Sequence, residues 1–324
     1  MLRVSNLTVS FGPPGERIPI VQGVDFQLER GRILGIVGES GSGKSVTCLA
    51  LMKLLGKTAT VGGTAELDGE NLLALDEPAM VKARGHKIAM IFQDPAAALN
   101  PVRSIGWQLG EAIGLNRSNG VPQSGEGARD RAIQLLRDVG MPDPERRLKE
   151  YPHQLSGGMN QRALIAMMLA RSPKLLIADE PTTALDVTIQ AQILRLLLDL
   201  RERLSMTIML ISHDLGVIAE TCDQVAVMYC GRIVEMGSAS ELFARPRHPY
   251  TVGLLNSRPR IDQQISTLKP IEGVVPSPYA LPPGCAFAPR CSRSVSACKV
   301  AAPPLDERGA GHRVACFNPA EAAA

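Results

Sequence analysis

Residues 38–45 read Gly-Glu-Ser-Gly-Ser-Gly-Lys-Ser, and this stretch decides the fold class. The pattern is Gly-x-x-x-x-Gly-Lys-[Ser/Thr], which is typical of a loop that cradles phosphate groups. An apolar run at 33–37 precedes the loop and predicts a buried strand, and residues 46–55 after it predict a helix. Glycines let backbone N–H groups turn towards phosphate oxygens, and the helix N-terminus adds positive potential. The sequence therefore predicts a nucleotide-binding unit of strand, loop and helix.

The loop supplies most of the expected nucleotide ligands. Lys44 would reach the outer phosphates and Ser45 would coordinate Mg2+. The alternative is a tight strand-to-helix turn that binds nothing, but the complete pattern in this context favours nucleotide binding. Kinases, GTPases, helicases and pumps all remain open at this point. The nucleotide-binding set within the loop is Gly38, Ser40, Gly41, Ser42, Gly43, Lys44 and Ser45.

The composition argues against some classes of protein. The chain of 324 residues is 45% apolar but only 3% aromatic, so its core must be aliphatic. The 35 basic and 32 acidic residues leave a net charge of +3, which argues against an electrostatic nucleic-acid binder. No apolar run approaches the roughly 20 residues needed to span a bilayer, and residues 1–10 do not read as a signal peptide. We therefore expect a soluble, cytosolic chain whose membrane spans, if it needs them, come from other subunits.

The order of the predicted elements indicates an α/β fold. The chain up to about residue 30 alternates like an antiparallel pair of strands. Later strands alternate with helices, as in a mainly parallel sheet. We predict a P-loop core with an antiparallel β subdomain over residues 1–240, and a helical subdomain inserted at about 96–170. Residues 241–324 are predicted to form a separate, Cys-rich C-terminal extension.

A second chemical signal is a strand that ends in two carboxylates. Residues 174–178 are mostly apolar and are followed by Asp179 and Glu180. Ligands of open parallel sheets gather at the carboxyl ends of the strands. Asp179 would hold Mg2+, and Glu180 would polarise the water that attacks the γ-phosphate. A strand ending in Asp-Glu is common by itself and becomes specific only together with the phosphate loop.

A third signal is the segment Leu-Ser-Gly-Gly-Met-Asn-Gln at 155–161. A serine and two glycines directly before a helix form an anion-binding N-terminus. The simpler interpretation is an ordinary helix start capped by Ser156. One nucleotide seldom needs two such helix starts from the same chain, so a second chain could use this one. His213 follows the strand predicted at 207–212 and could touch the γ-phosphate, although a lone histidine at a strand end is more often structural.

Together these segments resemble the ATP-binding cassette (ABC) ATPases, and the resemblance covers residues 1 to about 240. The family's motifs occur in order, namely the phosphate loop, Gln93 after a strand, the 155–161 segment, Asp179-Glu180, Ala184-Leu185-Asp186 and His213. The resemblance implies an ATPase in which Glu180, His213 and Gln93 are the catalytic residues. Met159 stands where many members of the family have Gln, but the anion-binding serine and glycines are kept.

The resemblance also implies how the cassette is divided between chains. Gln93 would lie in the loop that senses Mg2+ and faces the membrane subunit, with Ser45 and Asp179 completing the Mg2+ ligands. Asp186 would lie in the loop that crosses a dimer interface, and Phe11 is the candidate for stacking on adenine. The residues expected to contact the γ-phosphate of the nucleotide held by the opposite subunit are Ser156, Gly157, Gly158 and Gln161.

The C-terminal part of the chain resembles a narrower group. The segments Arg-His-Pro-Tyr-Thr at 247–251 and Gly-Cys-Ala-Phe-Ala-Pro-Arg-Cys at 284–291 are similar to the ATPase subunits of oligopeptide, dipeptide and nickel importers. Four thiols in a reducing cytosol suit Zn2+ or an iron–sulfur cluster, although their spacing lacks the Cys-x-x-Cys knuckle frequent in zinc sites. The resemblance favours [4Fe-4S], and unliganded cysteines in a loop-rich tail are the alternative. The four cysteines are Cys285, Cys291, Cys298 and Cys316.

The resemblance implies the ATP-hydrolysing subunit of a membrane importer for di- or oligopeptides or a related small solute. Its expected partners are a second ABC ATPase, favoured as a paralogue, two membrane permeases and, indirectly, a solute-binding protein. It would sit peripherally on the cytoplasmic face of the inner membrane. The alternatives are a soluble ABC ATPase not coupled to transport, an exporter subunit, and a nucleotide-dependent regulator. The presence of both Glu180 and His213 argues against a regulator that does not turn over.

Overall fold

The computed structural model describes residues 1–114, 126–183, 185–257, 270–309 and 311–320. These residues divide into two compact units. The phosphate-loop unit comprises Met1–Leu28, Arg32–Ala74 and the described residues from Ser212 onwards. The helical unit comprises Glu29–Gly31 and Leu75–Ile211.

Helices and strands alternate along much of the described chain. The strands are β1 (Leu2–Phe11), β2 (Ile18–Leu28), β3 (Ile33–Val37), β4 (Ala59–Leu67), β5 (Glu70–Asn71), β6 (Ile88–Ile91), β7 (Leu175–Asp179), β8 (Thr207–Ile211), β9 (Gln224–Tyr229), β10 (Arg232–Ser238), β11 (Asp306–Glu307) and β12 (Arg313–Val314). The α-helices are α1 (Lys44–Leu51), α2 (Glu77–His86), α3 (Pro95–Ala98), α4 (Ile105–Gly114), α5 (Glu126–Asp138), α6 (Pro144–Arg147), α7 (Gly157–Leu169), α8 (Val187–Leu204), α9 (Leu215–Thr221), α10 (Ala239–Ala244), α11 (Pro249–Asn256) and α12 (Ser296–Val300). Short 3-10 turns lie at Leu72–Ala74, Pro152–Gln154, Pro278–Ala280 and Ala288–Arg290.

The phosphate-loop unit begins with the antiparallel sheet that the sequence predicts. Its strand order is β2-β1-β4-β5, and Leu2 of β1 pairs with Leu28 on one side and Leu67 on the other. One face of β1 is apolar and buried, which gives the strand its period of two. The alternation breaks between Val4 and Leu7, where both neighbouring registers shift.

The same unit contains a second set of strands in the order β11-β12-β10-β9-β3. Strand β3 runs parallel to β9, and β9, β10, β12 and β11 are joined by antiparallel pairs. All five residues of β3 are buried. This explains the continuous apolar run before the phosphate loop, since a parallel strand covered on both faces has no polar side.

The helical unit contains the parallel strands β6, β7 and β8, with β7 in the middle. Helices α4, α5 and α7 contact one another. Each presents an apolar stripe to the others, with Leu109, Leu136 and Ile165 fully buried. These helices lie within the region where the sequence predicts a helical insertion.

One predicted helix boundary differs from the structure. The helix after the phosphate loop was expected at 46–55, but α1 spans Lys44–Leu51, because Gly43 adopts the left-handed conformation (φ 99°) that ends the loop. Helix α7 begins at Gly157, directly after its cap Ser156, as the interpretation of residues 155–161 as a capped helix start predicts.

The C-terminal segment is joined to the core by backbone pairing. Strand β12 pairs with β10 through Glu235–Val314 and Met236–Arg313, and β11 pairs with β12. All described residues from Ser212 onwards belong to the phosphate-loop unit. The division of the chain at residue 240 stays a prediction, and the expected separation of the tail finds no counterpart in the two units.

Candidate functional site

The phosphate loop contains glycines with positive φ, a backbone conformation that other residues rarely adopt. Gly38 has φ 152°, and a Cβ there would lie 2.2 Å from the backbone oxygen of Met228. Gly41 has φ 78°, and a Cβ there would meet no atom of the described residues within 4 Å. The loop is therefore packed tightly at its base and is open at its tip, as a cradle for phosphate oxygens requires.

Lys44 lies in the loop with its ammonium group turned onto the backbone. Its Nζ donates to the carbonyl oxygens of Gly38 at 2.8 Å and Glu39 at 3.0 Å, and the residue is 7% exposed. Ser45 follows as the second residue of α1. A cation, a hydroxyl and a helix N-terminus meet here, and this donor set fits a nucleotide phosphate with its Mg2+. The roles of the individual loop residues stay predictions.

Residues behind the loop were missed by the sequence analysis. The Tyr250 hydroxyl accepts a hydrogen bond from the Glu39 backbone N–H at 2.8 Å, and Arg290 forms an ion pair with the Glu39 carboxylate at 2.7 Å. Tyr250 follows Glu39 by 211 positions and Arg290 by 251. No local sequence pattern signals contacts over such separations.

In the helical unit, the structure brings together two of the predicted catalytic residues. The Gln93 side-chain amide donates to Oε2 of Glu180 at 3.1 Å. The same oxygen accepts a hydrogen bond from the Thr183 hydroxyl at 2.8 Å, a residue that the sequence analysis missed. Two donors on one oxygen fix the orientation of the carboxylate, which a general base needs.

The backbone at Glu180 adopts an unusual conformation. Its φ of 47° is left-handed, a region that non-glycine residues rarely occupy and that clusters at functional sites. The Glu180 N–H donates to the Ile211 carbonyl at 3.0 Å, which holds the turn after β7. Asp179, the last residue of β7, is 6% exposed. Of the two carboxylate residues, Asp179 is therefore buried and Glu180 is half-buried.

The 155–161 segment forms a capped helix start, as both interpretations of the sequence required. The Ser156 hydroxyl accepts from the Met159 N–H at 3.4 Å. Ser156 and Gly157 are exposed, whereas Gly158 is buried and a Cβ there would lie 2.6 Å from the Ile189 side chain. Gln161 is 1% exposed, and its two amide atoms have no hydrogen-bond partner among the described residues.

The remaining predicted site residues lie at element ends. Asp186 caps α8 by accepting from the Ile189 N–H at 2.9 Å and is exposed. His213 is exposed in the turn after β8, and Phe11 is half-buried at the end of β1. Ala184, in the predicted interface loop, lies outside the described residues. The roles assigned to these residues stay predictions.

The expected metal or cluster site is not supported. In the described parts of the chain, no three or more His, Cys, Asp or Glu residues form a group that could hold a metal ion. Burial raises the pKa of the Cys316 thiol to about 11, and the neighbouring Cys291, Cys285 and Cys298 raise it further. Burial also raises the pKa of Cys285 and Cys291. None of these four cysteines forms a disulfide bond in the described structure.

Within the described ranges, no helix combines the length and the apolar character needed to cross a membrane.

Comparisons with known proteins agree with this geometry. Residues 21–183 match the family model of the ABC transporter, and residues 234–298 match the C-terminal region of the oligopeptide/dipeptide transporter. A dimeric ATP-binding cassette solved in a post-hydrolysis state with ADP and phosphate is 29% identical, with a TM-score of 0.65. That match covers 74% of this chain and 99% of the solved one.

The curated relatives match over nearly the full length. A "probable peptide ABC transporter ATP-binding protein" of Sinorhizobium fredii is 54% identical over 91% of this chain and 88% of its own. The oligopeptide transport ATP-binding protein AppD of Bacillus subtilis is 47% identical over 98% and 96%. OppD of Escherichia coli, of the same description, is 47% identical over 99% and 94%. This chain therefore belongs to the ABC transporter family and is one of its ATP-hydrolysing subunits.

Proposed function

We propose that this chain drives the import of di- or oligopeptides, or of a related small solute, through a membrane permease. The observation that carries the proposal is the combination of a cassette and an oligopeptide-type C-terminal region in one chain. Relatives named for peptide and oligopeptide transport align with both parts. The solute itself stays open, because a subunit of this kind supplies energy and makes no contact with the cargo.

The phosphate-loop unit would bind the nucleotide. Lys44 and the N-terminus of α1 would compensate the charge of the outer phosphates. Ser45, Gln93 and Asp179 would hold Mg2+, which supplies charge neutralisation at the γ-phosphate when it is bound. Phe11 is proposed to stack on adenine, and the exposed His213 to contact the γ-phosphate.

Glu180 is proposed as the general base. The hydrogen bonds from Gln93 and Thr183 orient its carboxylate, so that it can accept a proton from the attacking water. The loop that carries Gln93 is proposed to face the permease. The hydrogen bond between Gln93 and Glu180 would then connect the proposed general base to the permease. Movement of Gln93 would then change the orientation of the base.

A second ATPase subunit would complete each site. Ser156, Gly157, Gly158 and Gln161 are proposed to act on the γ-phosphate of the nucleotide bound by the opposite subunit, with Asp186 at the interface. The exposed Ser156 and Gly157 leave the helix start of α7 accessible to such a ligand. Closure of the two subunits around two ATP molecules would drive the permeases, and hydrolysis would reset them.

The proposed assembly contains two permeases and a second ATPase, with a paralogue favoured, and reaches a solute-binding protein indirectly. It places the chain peripherally on the cytoplasmic face of the membrane. A soluble ABC ATPase uncoupled from transport is less favoured, because the oligopeptide-type C-terminal region has no part in that function. Co-purification with two permeases supports the importer, and purification of the native protein without any membrane subunit contradicts it.

The experiment that tests the catalytic proposal is Glu180→Gln. We expect ATP hydrolysis to fall by about 100-fold or more, the usual contribution of a general base, while nucleotide binding is kept. The matched control is Glu202→Gln, which removes an exposed carboxylate of α8 and should leave turnover unchanged. Full hydrolysis by the Glu180→Gln variant would remove Glu180 from the role of base.

The four C-terminal cysteines take no part in the proposed mechanism. A [4Fe-4S] cluster there, with zinc as the alternative, stays a prediction of the sequence resemblance alone. Iron, sulfide and zinc analysis of anaerobically purified protein would test it. Stoichiometric iron and sulfide would support the cluster, and their absence would contradict it.

A further inference from the structure

Arg290 of the C-terminal segment makes a partly buried, bidentate ion pair with Glu39 of the phosphate loop. Its Nη1 donates to Oε2 of Glu39 at 2.7 Å, and its Nη2 donates to Oε1 at 3.1 Å. The Arg290 side chain is 4% exposed and that of Glu39 is 29% exposed. Paired, charge-assisted hydrogen bonds of this kind fix both position and orientation.

The Arg290 guanidinium is held from its other sides as well. Nη2 also donates to the Ile271 carbonyl at 3.2 Å, and Nε donates to the Glu272 carbonyl at 3.0 Å. The Tyr229 hydroxyl accepts a hydrogen bond from Nη1 at 3.3 Å, and the rings of Tyr229 and Phe287 lie 5.9 Å from the guanidinium carbon. The Arg290 guanidinium is therefore held in a fixed orientation by residues of the C-terminal segment and of β9.

Glu39 in turn connects the Arg290 guanidinium to Lys44. The Glu39 backbone N–H donates to the Tyr250 hydroxyl at 2.8 Å, and its carbonyl accepts from Nζ of Lys44 at 3.0 Å. Residue 39 is thus held by its side chain and its N–H from the C-terminal segment, and it positions the lysine ammonium with its carbonyl. A shift of Glu39 would displace the cation that faces the phosphates.

Charge gives the contact a second consequence. Glu39 places a carboxylate within a loop whose ligand carries several negative charges. Arg290 neutralises that carboxylate in a partly desolvated position, where charges interact more strongly than in water. Without the guanidinium, the Glu39 carboxylate would oppose nucleotide binding.

We infer that Arg290 is a positioning residue for the phosphate loop, acting through Glu39, and that the C-terminal segment thereby sets the affinity of the ATP site. This inference rests on the proposed function, in that the loop is taken to bind ATP. It assigns the C-terminal segment a task in nucleotide binding that is independent of any metal at its cysteines.

The test compares single and double variants of the full chain by steady-state ATPase kinetics. Arg290→Ala should raise KM for ATP about tenfold and change kcat much less, because the contact acts on binding through Lys44. Arg290→Lys should recover part of the affinity, since the charge is kept and the paired geometry is lost. In a Glu39→Gln background, Arg290→Ala should add little, because the carboxylate that Arg290 compensates is gone.

The matched control is Arg293→Ala in the same segment. Arg293 contacts Asn318 and Pro319 and is exposed, so its loss should leave KM for ATP unchanged. If Arg290→Ala does not fold, as judged by thermal unfolding, Arg290→Lys alone decides, and it should raise KM.

Unchanged KM in all folded Arg290 variants would overturn the inference, as would equal effects of Arg290→Ala in both Glu39 backgrounds. Equal effects of Arg290→Ala and Arg293→Ala would overturn it too, since the segment would then act only through general stability. Failure of the wild-type protein to hydrolyse ATP would instead contradict the proposed function.

Discussion

Two helix starts in the described part of the chain, those of α1 and α7, are led by serine and glycine, and their surroundings differ. The phosphate loop before α1 is supported from behind by Tyr250 and Arg290 of its own chain, and Lys44 is 7% exposed within it. The start of α7 presents Ser156 and Gly157 to solvent, and the Ser156 hydroxyl accepts only a long bond of 3.4 Å from Met159. The first start is supported by side chains of its own chain, and the second is exposed, as the proposed contact with a nucleotide on the opposite subunit requires.

This difference suits the two helix starts to different kinds of nucleotide contact. A helix start whose loop is fixed from behind can bind a ligand with high affinity, because little order is lost on binding. An open helix start costs less to approach and to leave, which suits a contact that forms and breaks in every cycle. The following predictions test whether the two starts divide the work in this way.

The largest expected effect is on nucleotide binding by Lys44→Ala. Removal of the ammonium group should weaken ATP binding about 100-fold, since charged hydrogen bonds to the phosphates contribute about 1.5–3 kcal/mol each. Titration of the purified chain with a fluorescent ATP analogue measures it. Lys57→Ala, which removes an exposed lysine, is the control and should bind normally. Wild-type affinity in Lys44→Ala would show that the phosphate loop is not the binding site.

The second prediction concerns pH and the support behind the phosphate loop. His248 caps α11, which carries Tyr250, and its Nδ1 accepts from the Tyr250 N–H at 3.1 Å. Burial lowers the pKa of His248 from 6.5 to about 4. The unfolded chain therefore binds a proton between these values that the folded chain does not, and stability falls as the pH drops below 6.5.

His248→Asn keeps a capping side chain and removes this titration. Between pH 7 and pH 5, the wild type should lose about 2 kcal/mol more unfolding free energy than the variant. The neighbouring Glu235 and His312, whose carboxylate oxygen and ring Nε2 lie 2.8 Å apart, are unchanged in both proteins. Urea unfolding at both pH values measures the difference, and parallel losses in the two proteins would contradict the assignment.

The third prediction addresses the open helix start. Ser156→Ala should lower ATP hydrolysis about tenfold, while nucleotide affinity of the chain and unfolding free energy change little, by about 1 kcal/mol or less. Ser238→Ala is the matched control, because Ser238 caps α10 by accepting from Glu241 at 3.2 Å. It should show a similar stability loss and normal hydrolysis. Normal hydrolysis in Ser156→Ala would show that Ser156 only caps α7 and does not act on the nucleotide.

The smallest expected effect is that of Tyr250→Phe. Removal of the hydroxyl leaves the Glu39 N–H without its acceptor and should cost about 1 kcal/mol of unfolding free energy. Chemical unfolding measures this loss. The control is Tyr279→Phe, at a residue 80% exposed, where no change is expected. If the two variants are equally stable, the Tyr250 hydroxyl does not support the phosphate loop.

The sequence predicted those features that depend on neighbouring residues. The strand–loop–helix unit at 33–51 follows from an apolar run and a glycine pattern, both of which are local. The Ser156 cap was predicted for the same reason, and the strand that ends at Asp179 was displaced by one residue only. The order of the motifs also led to the prediction that Gln93 and Glu180 are both catalytic residues. In the structure their side chains are hydrogen-bonded to each other.

Features that join distant parts of the chain were not predictable in this way. With 35 basic and 32 acidic residues, nothing in the sequence selects Arg290 and Glu39 as partners. Thr183 is one hydroxyl among many, and its bond to Glu180 depends on the left-handed turn after β7. The number of thiols and the family resemblance suggested a metal or cluster site, but neither sets the three-dimensional arrangement of the four cysteines.

Selection of variants of this chain for heat resistance alone would act against the residue at position 180. A left-handed backbone costs a side-chain-bearing residue on the order of 1–2 kcal/mol, and glycine largely escapes that cost. Because φ is 47° at this position, replacement of the glutamate by glycine should raise the free energy of unfolding. Because Glu180 is the proposed general base, we expect a stability screen without an assay of turnover to enrich stable variants that hydrolyse ATP slowly.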